Sequence, residues 1–198
     1  MKVENGARFR CLKTANQRGF TLIEVMVSTL VLTVGLVSLL AVFALALSAT
    51  QGSQEDLIAK QLASEAMESI VTARDTTQMV WNQIQNVGAG TTPDGIFVVG
   101  MQPIYNAGTD GIVGTADDAN AGNAVLTLPG PDGIVGTSDD VVLPLTNYKR
   151  QIQITSVNDS NGNLIPSLRM VTITIPYTTT QLRVQKTYVL TSYISEYH

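Results

Sequence analysis

From Phe20 to Ala49 the sequence carries one charge, Glu24, and from Val25 to Ala49 it carries none. As a helix, Val25–Ala49 spans roughly 38 Å at 1.5 Å per residue, against about 30 Å of membrane hydrocarbon. The segment predicts a membrane span. A carboxylate a turn or so inside such a helix costs a few kcal/mol unless it is neutralised or paired, so Glu24 is a candidate functional residue.

The helix pattern continues past Ala49 with a different character. Ile58, Leu62, Ala66, Ile70 and Ala73, with Ala59 and Ala63, fall on one arc about 140° wide at the helical period. Lys60, Gln61, Ser64, Glu65 and Glu68 fall opposite. This reads as one long helix, apolar all round in its first half and amphipathic in its second, with the second half against a sheet. Gly88, Gly90 and Pro93 are breakers, so the helix ends between Asp75 and Gly88.

Residues 88–140 hold eleven of the sixteen glycines. They offer only short strand candidates, Ile96–Val99 and Ala124–Leu128. A stretch this long and this poor in pattern needs something to order it. It contains a repeat offset by 22 residues: Asp110–Asp118 reads DGIVGTADD and Asp132–Asp140 reads DGIVGTSDD. Pro93-Asp94-Gly95-Ile96 echoes its start. Calcium takes six to eight oxygens from carboxylates, carbonyls and water. Each repeat supplies a first aspartate, glycines for sharp turns, and an aspartate pair further on. Asp110, Asp117, Asp118, Asp132, Asp139 and Asp140 are therefore candidate calcium ligands, and calcium is the one cofactor the sequence suggests. The alternating acids and closing glutamate of an EF-hand are missing. The competing reading is a pair of solvated turns, since Asp-Gly is ordinary turn chemistry.

Three strands follow. Tyr148–Val157 and Leu168–Ile175 alternate apolar with polar residues, and Leu182–Ile194 is the third. Asn158–Asn163 and Pro176–Gln181 read as the turns between them. Short turns between successive strands give an antiparallel meander. The fold class is α+β, a long N-terminal helix packed on a C-terminal antiparallel β-sheet.

The charge is asymmetric. The net charge is −4, yet the first nineteen residues set Lys2, Arg8, Arg10, Lys13 and Arg18 against Glu4 alone. A basic head before an apolar span is expected to stay in the cytoplasm. Cys11, the only cysteine, lies in that head, so no disulfide is expected beyond it. The apolar segment is also too long for a removed signal core, so an ordinary secretory signal is not expected.

The boundary itself reads GFTLIEVMVSTLVLTVGL. It resembles the signal of type IV prepilins and pseudopilins, in which a glycine precedes the cut, a phenylalanine follows it, and a glutamate stands fifth after it. Here those are Gly19, Phe20 and Glu24. The resemblance implies cleavage between Gly19 and Phe20 by prepilin peptidase, N-methylation of Phe20, and retention of the helix as anchor and polymerisation stem. It implies that Glu24 pairs with the Phe20 amine of its own or a neighbouring subunit and fixes the register of packed helices. The implied partners are other pilin subunits through the N-terminal helix, the peptidase, the inner-membrane assembly platform, and membrane lipid before assembly. The implied location is a single pass in the inner membrane, N-terminus cytoplasmic and C-terminal domain periplasmic, then an extracellular pilus or a periplasmic pseudopilus.

Val25–Phe43 and QLASEAMESIVTAR look most like minor pilins of the PilV type and the related type II secretion pseudopilins. The helix lacks the proline many major pilins carry, with Gly35 its only weak point. The C-terminal disulfide loop of many pilins is also missing. The expected function is a structural minor pilin. The alternatives are a pseudopilin of a type II secretion or DNA-uptake system, and a calcium-dependent adhesive module at a pilus tip.

The expected organisation is a basic leader at 1–19, a membrane and polymerisation helix at 20–49, an amphipathic helix at 50–87, a Gly/Asp-rich region at 88–147 and an antiparallel sheet at 148–198. An enzyme is not expected. His198 is the only histidine and is read as a chain end, and without it no Ser/His/Asp or Cys/His set can be assembled. No phosphate loop is present. Charged residues make up 14% of the chain and aromatics 6%, which does not suit nucleic-acid binding. Trp81 is expected to pack between helix and sheet, and Lys149-Arg150 to be a solvated strand start.

Overall fold

The computed structural model describes residues 19–181 and 183–197. The leader to Arg18, with Cys11, and His198 lie outside the described residues. Helix α1 covers Leu22–Asp75. The chain divides into two compact units, one ending at Leu47 and one beginning at Ser48.

In the first unit Thr21 opens the helix, and the Glu24 N–H donates to its side-chain oxygen at 3.3 Å. Thr21-x-x-Glu24 is the spacing of a capping box, a signal that the charge-based reading passed over. The hydroxyls of Ser28, Thr29, Thr33 and Ser38 donate to carbonyls one turn back, at 2.6–2.9 Å. Each of these hydroxyls is thus satisfied by its own helix, as an apolar surrounding requires. The helix is long and apolar enough to cross a membrane, and none of its most apolar window is buried within the chain.

In the second unit, α1 ends at Asp75 through a Schellman turn. The Thr77 N–H donates to Arg74 and that of Gln78 to Ala73, with Thr77 at a φ of 58°. Glycine usually takes this left-handed position. A threonine took it here, so the helix stops at the start of the expected interval, and the residues up to 87 form turns and a short 3-10 helix, Trp81–Gln83.

The four-stranded antiparallel sheet runs β1 (Gln102–Pro103), β4 (Lys149–Asn158), β5 (Leu164–Thr178), β6 (Gln185–Ser195) in spatial order. A separate hairpin pairs β2 (Val125–Leu128) with β3 (Val141–Pro144). A four-residue helix, α2 (Asp118–Ala121), precedes it. Ile96–Val99 forms no strand. It is held by an isolated bridge between Asn86 and Phe97, with Phe97 fully buried.

Val171, Ile173 and Ile175 of β5, with Ile152 and Ile154 of β4, are buried in one core with Ala59, Leu62, Ala63, Ala66, Ile70 and Ala73 of α1. The alanine stripe lets the helix backbone approach the sheet. Strand β5 runs through Pro176, where the sequence predicted a turn. Proline is tolerated there because β4 offers Pro176 no ladder partner: the register stops at Gln151–Thr174 and resumes at a Tyr148–Tyr177 bridge. The β4 edge left open beyond β1 is closed by a side chain. Asn86 donates to the Ile152 carbonyl and accepts from the Ile154 N–H, both at 2.8 Å.

Arg150 is 4% exposed, contrary to the expected solvated strand start. Strand parity puts it on the inner face with Ile152 and Ile154, where Glu65 and Asp118 offset its charge while burial lowers its pKa. Lys149, one residue earlier, faces solvent.

Candidate functional site

Each Asp-Gly repeat folds into a closed loop, and the two loops are built alike. The first aspartate accepts from a backbone N–H two residues on: Ile112 to Asp110 at 2.8 Å, Ile134 to Asp132 at 2.9 Å. The second aspartate accepts the threonine hydroxyl at 2.6 Å, Thr115 to Asp117 and Thr137 to Asp139. It also accepts from the first aspartate's N–H, at 3.2 and 3.3 Å. The third aspartate accepts from the second glycine's N–H at 2.6 Å, Gly114 to Asp118 and Gly136 to Asp140. Those glycines sit at φ 96° and 99°, which a residue with a side chain adopts only under strain. Gly108 and Gly130, just ahead of each repeat, lie against the second aspartate's carboxyl group, where a Cβ would collide with it.

This answers the question of what orders residues 88–140. Aspartate carboxylates take up the turn's backbone donors, the work that a strand ladder does elsewhere. The Thr115 hydroxyl holds the Asp117 carboxyl at a pKa of about 2, and the Thr137 hydroxyl lowers that of Asp139. Asp94, in the sequence echo, accepts from the Gly88 and Gly95 N–H groups, and its pKa is lowered for that reason.

The surroundings of the two loops differ. In the first, Ile112 and Val113 are 4% and 3% exposed and belong to the domain core. The Val113 N–H reaches the Ser69 hydroxyl of α1 at 3.0 Å. Asp118 is 2% exposed, and desolvation raises its pKa although two backbone donors face it. In the second loop Ile134 and Val135 are 61% and 59% exposed.

One carboxylate oxygen from each of Asp110, Asp117 and Asp118 lies within 4.8 Å of the others, a spacing a cation can bridge. Among the described residues, Asp132, Asp139 and Asp140 do not form such a group. Their loop closes through the same bonds but has no wall behind it.

At the other end of the chain, Gly19, Phe20 and Glu24 are exposed at the head of α1. Trp81 is partly buried beside Arg169 of β5, whose guanidinium lies 4.4 Å from the ring centre. The Trp81 indole donates to the Pro166 carbonyl at 2.9 Å. Sequence reading missed Arg169, which nothing but strand parity marks as inward-facing.

No curated protein and no solved structure matches the chain. Residues 14–50 match the prokaryotic N-terminal methylation motif. That family is structural, and its signal on an apolar helix fits an inner-membrane anchored protein. The chain carries the prepilin-type N-terminal signal of type IV pilins.

Proposed function

We propose that the chain is a minor pilin, a structural subunit that leaves the inner membrane for a pilus fibre once its leader is cut between Gly19 and Phe20. The observation that carries this reading is the exposure of the first half of α1. Its leucines, valines and Phe43 are half or more exposed, and such a surface must be kept from water. Lipid covers it first and the helices of neighbouring subunits afterwards. Glu24, alone among these side chains in charge, pairs with the free amine of Phe20 and sets the axial register, because an unpaired carboxylate at that depth is costly.

The test is replacement of Gly19 by valine in cells that make the fibre. The full chain is expected to keep its leader, seen as slower migration, and to stay out of the sheared fibre fraction. Glu24→Val is expected to be processed and still fail to enter the fibre. Normal trimming of the Gly19→Val chain would overturn the reading.

A second reading concerns the first repeat, and the close spacing of its acidic trio favours it. We infer that Asp110, Asp117 and Asp118 hold a calcium ion there as a staple. An oxygen that accepts one backbone N–H keeps a second lone pair, so the bonds that close the loop leave room for a cation. Titration of residues 48–198 should release or absorb heat and raise the melting temperature. Free calcium at about 100 times Kd adds about 2.7 kcal/mol. Asp117→Ala/Asp139→Ala should abolish both effects. Absence of heat and shift at millimolar calcium would leave the loops held by their own hydrogen bonds.

A further inference from the structure

Hairpin β2–β3 carries the second repeat at its tip. Between Ala124 and Leu145 its only charged residues are Asp132, Asp139 and Asp140. Val125, Val141 and Val142 are 50–56% exposed along its stem, and Ile134 and Val135 more so at the tip. The first repeat shows what such a tip suits. With the same loop built by the same bonds, its Ile112 and Val113 are inserted into an apolar core. The second repeat offers the same apolar pair, in an acidic frame, with no cover.

At one end of the sheet lies a groove of about 480 Å³ lined by Met101, Lys149, Pro176, Tyr177 and Lys186. Of the three lysines beyond the leader, two line this groove, and Arg183 precedes the strand that supplies Lys186. Asp56 faces Lys186 at 2.9 Å and Glu55 accepts from the Thr180 N–H nearby at 2.9 Å, so Lys149 is the lining cation without an acidic partner among the described residues. Met101 is 44% exposed and gives the groove an apolar wall.

We propose that the β2–β3 tip of one copy docks in this groove on a second copy of the chain. An acidic, apolar tip meets a basic, apolar groove, and this complementarity selects the partner. Tip and groove are different surfaces, so the contact is head to tail. It leaves a free tip on one copy and a free groove on the other, and therefore propagates. A propagating contact suits subunits that share a fibre, and in that sense the inference rests on the pilin reading.

The experiment uses the full chain in its membrane, in a Cys11→Ser background. Ile134→Cys and Met101→Cys are introduced singly and together, and cysteines are oxidised in whole cells. Both sites are exposed, so the fold is not at issue. The double variant is expected to give a ladder of dimers, trimers and larger species, and neither single variant should cross-link. Lys149→Glu in the double variant should lower the ladder about tenfold, the weight of one close ion pair at an interface. Dimers from Ile134→Cys alone would mean tip-to-tip contact and overturn the proposal. So would the absence of a ladder in cells that remove the leader normally, and the pilin reading would then stand. Retention of the leader by every variant would overturn the pilin reading and the contact with it.

Discussion

Arg169→Met is expected to lower the unfolding free energy of residues 48–198 by about 3 kcal/mol, the largest loss from any single polar substitution in the domain. Arg169 stands on β5 with Ser156 and Ile194 as its cross-strand neighbours, and is 6% exposed. Its Nη1 donates to the carbonyls of Trp81 and Ile84, the latter at 2.6 Å, and its guanidinium covers the Trp81 ring. One side chain thereby fastens the turn after α1 to the centre of the sheet. Methionine fills a similar volume and cannot donate, so the Ile84 carbonyl loses its Arg169 donor at about 1–3 kcal/mol while the Trp81 carbonyl keeps the Ile84 N–H, and the cation–π contact of about 1 kcal/mol goes too. Part of this is returned, because burial disfavours the charged form. Urea unfolding should show a lower midpoint at unchanged slope. Arg169→Lys keeps the charge but not the planar fork, and should fall in between. A loss under about 0.5 kcal/mol for Arg169→Met would show that the turn holds without it.

What the sequence discloses and what it conceals divide along physical lines. The apolar run from Phe20 and the alanine stripe from Ala59 are set by composition and period, and both were readable. The stripe's predicted members are buried in the structure except Ile58, which is partly covered. The three long strands were legible, two of them from alternation, though not their ends. The predicted turn, Pro176–Gln181, began inside β5, because proline's cost depends on which neighbouring strand its missing N–H would face; Pro176 pairs with Thr187 of β6 and has no ladder partner on β4, and that is tertiary information. The helix end was blurred because Thr77 occupies a position where glycine would have announced it. Arg150 was misread for a related reason. Two adjacent basic residues look solvated in sequence, while in a strand they face opposite ways.

The repeat was the most visible motif, and its likeness concealed a difference. Sequence shows two equal units, and as loops they share the bonds that close each turn, although Asp118 also accepts from the Gly108 N–H and Asp140 from that of Thr137. Only the fold assigns one to the core and one to the surface, so Ile112→Ala and Ile134→Ala should differ widely. The first removes a side chain buried with Val113 in the core and leaves a cavity, at a cost of about 2–4 kcal/mol. The second removes a side chain 61% exposed and should stay within about 0.5 kcal/mol. The substituted residue, its neighbours in sequence and its backbone hydrogen bond to the first aspartate are the same in both. Chemistry next to the substituted residue therefore largely cancels, and the difference measures chiefly burial. Equal losses would mean that the second loop is covered in solution, and a sedimentation run on the wild-type fragment would then show whether a second copy does the covering.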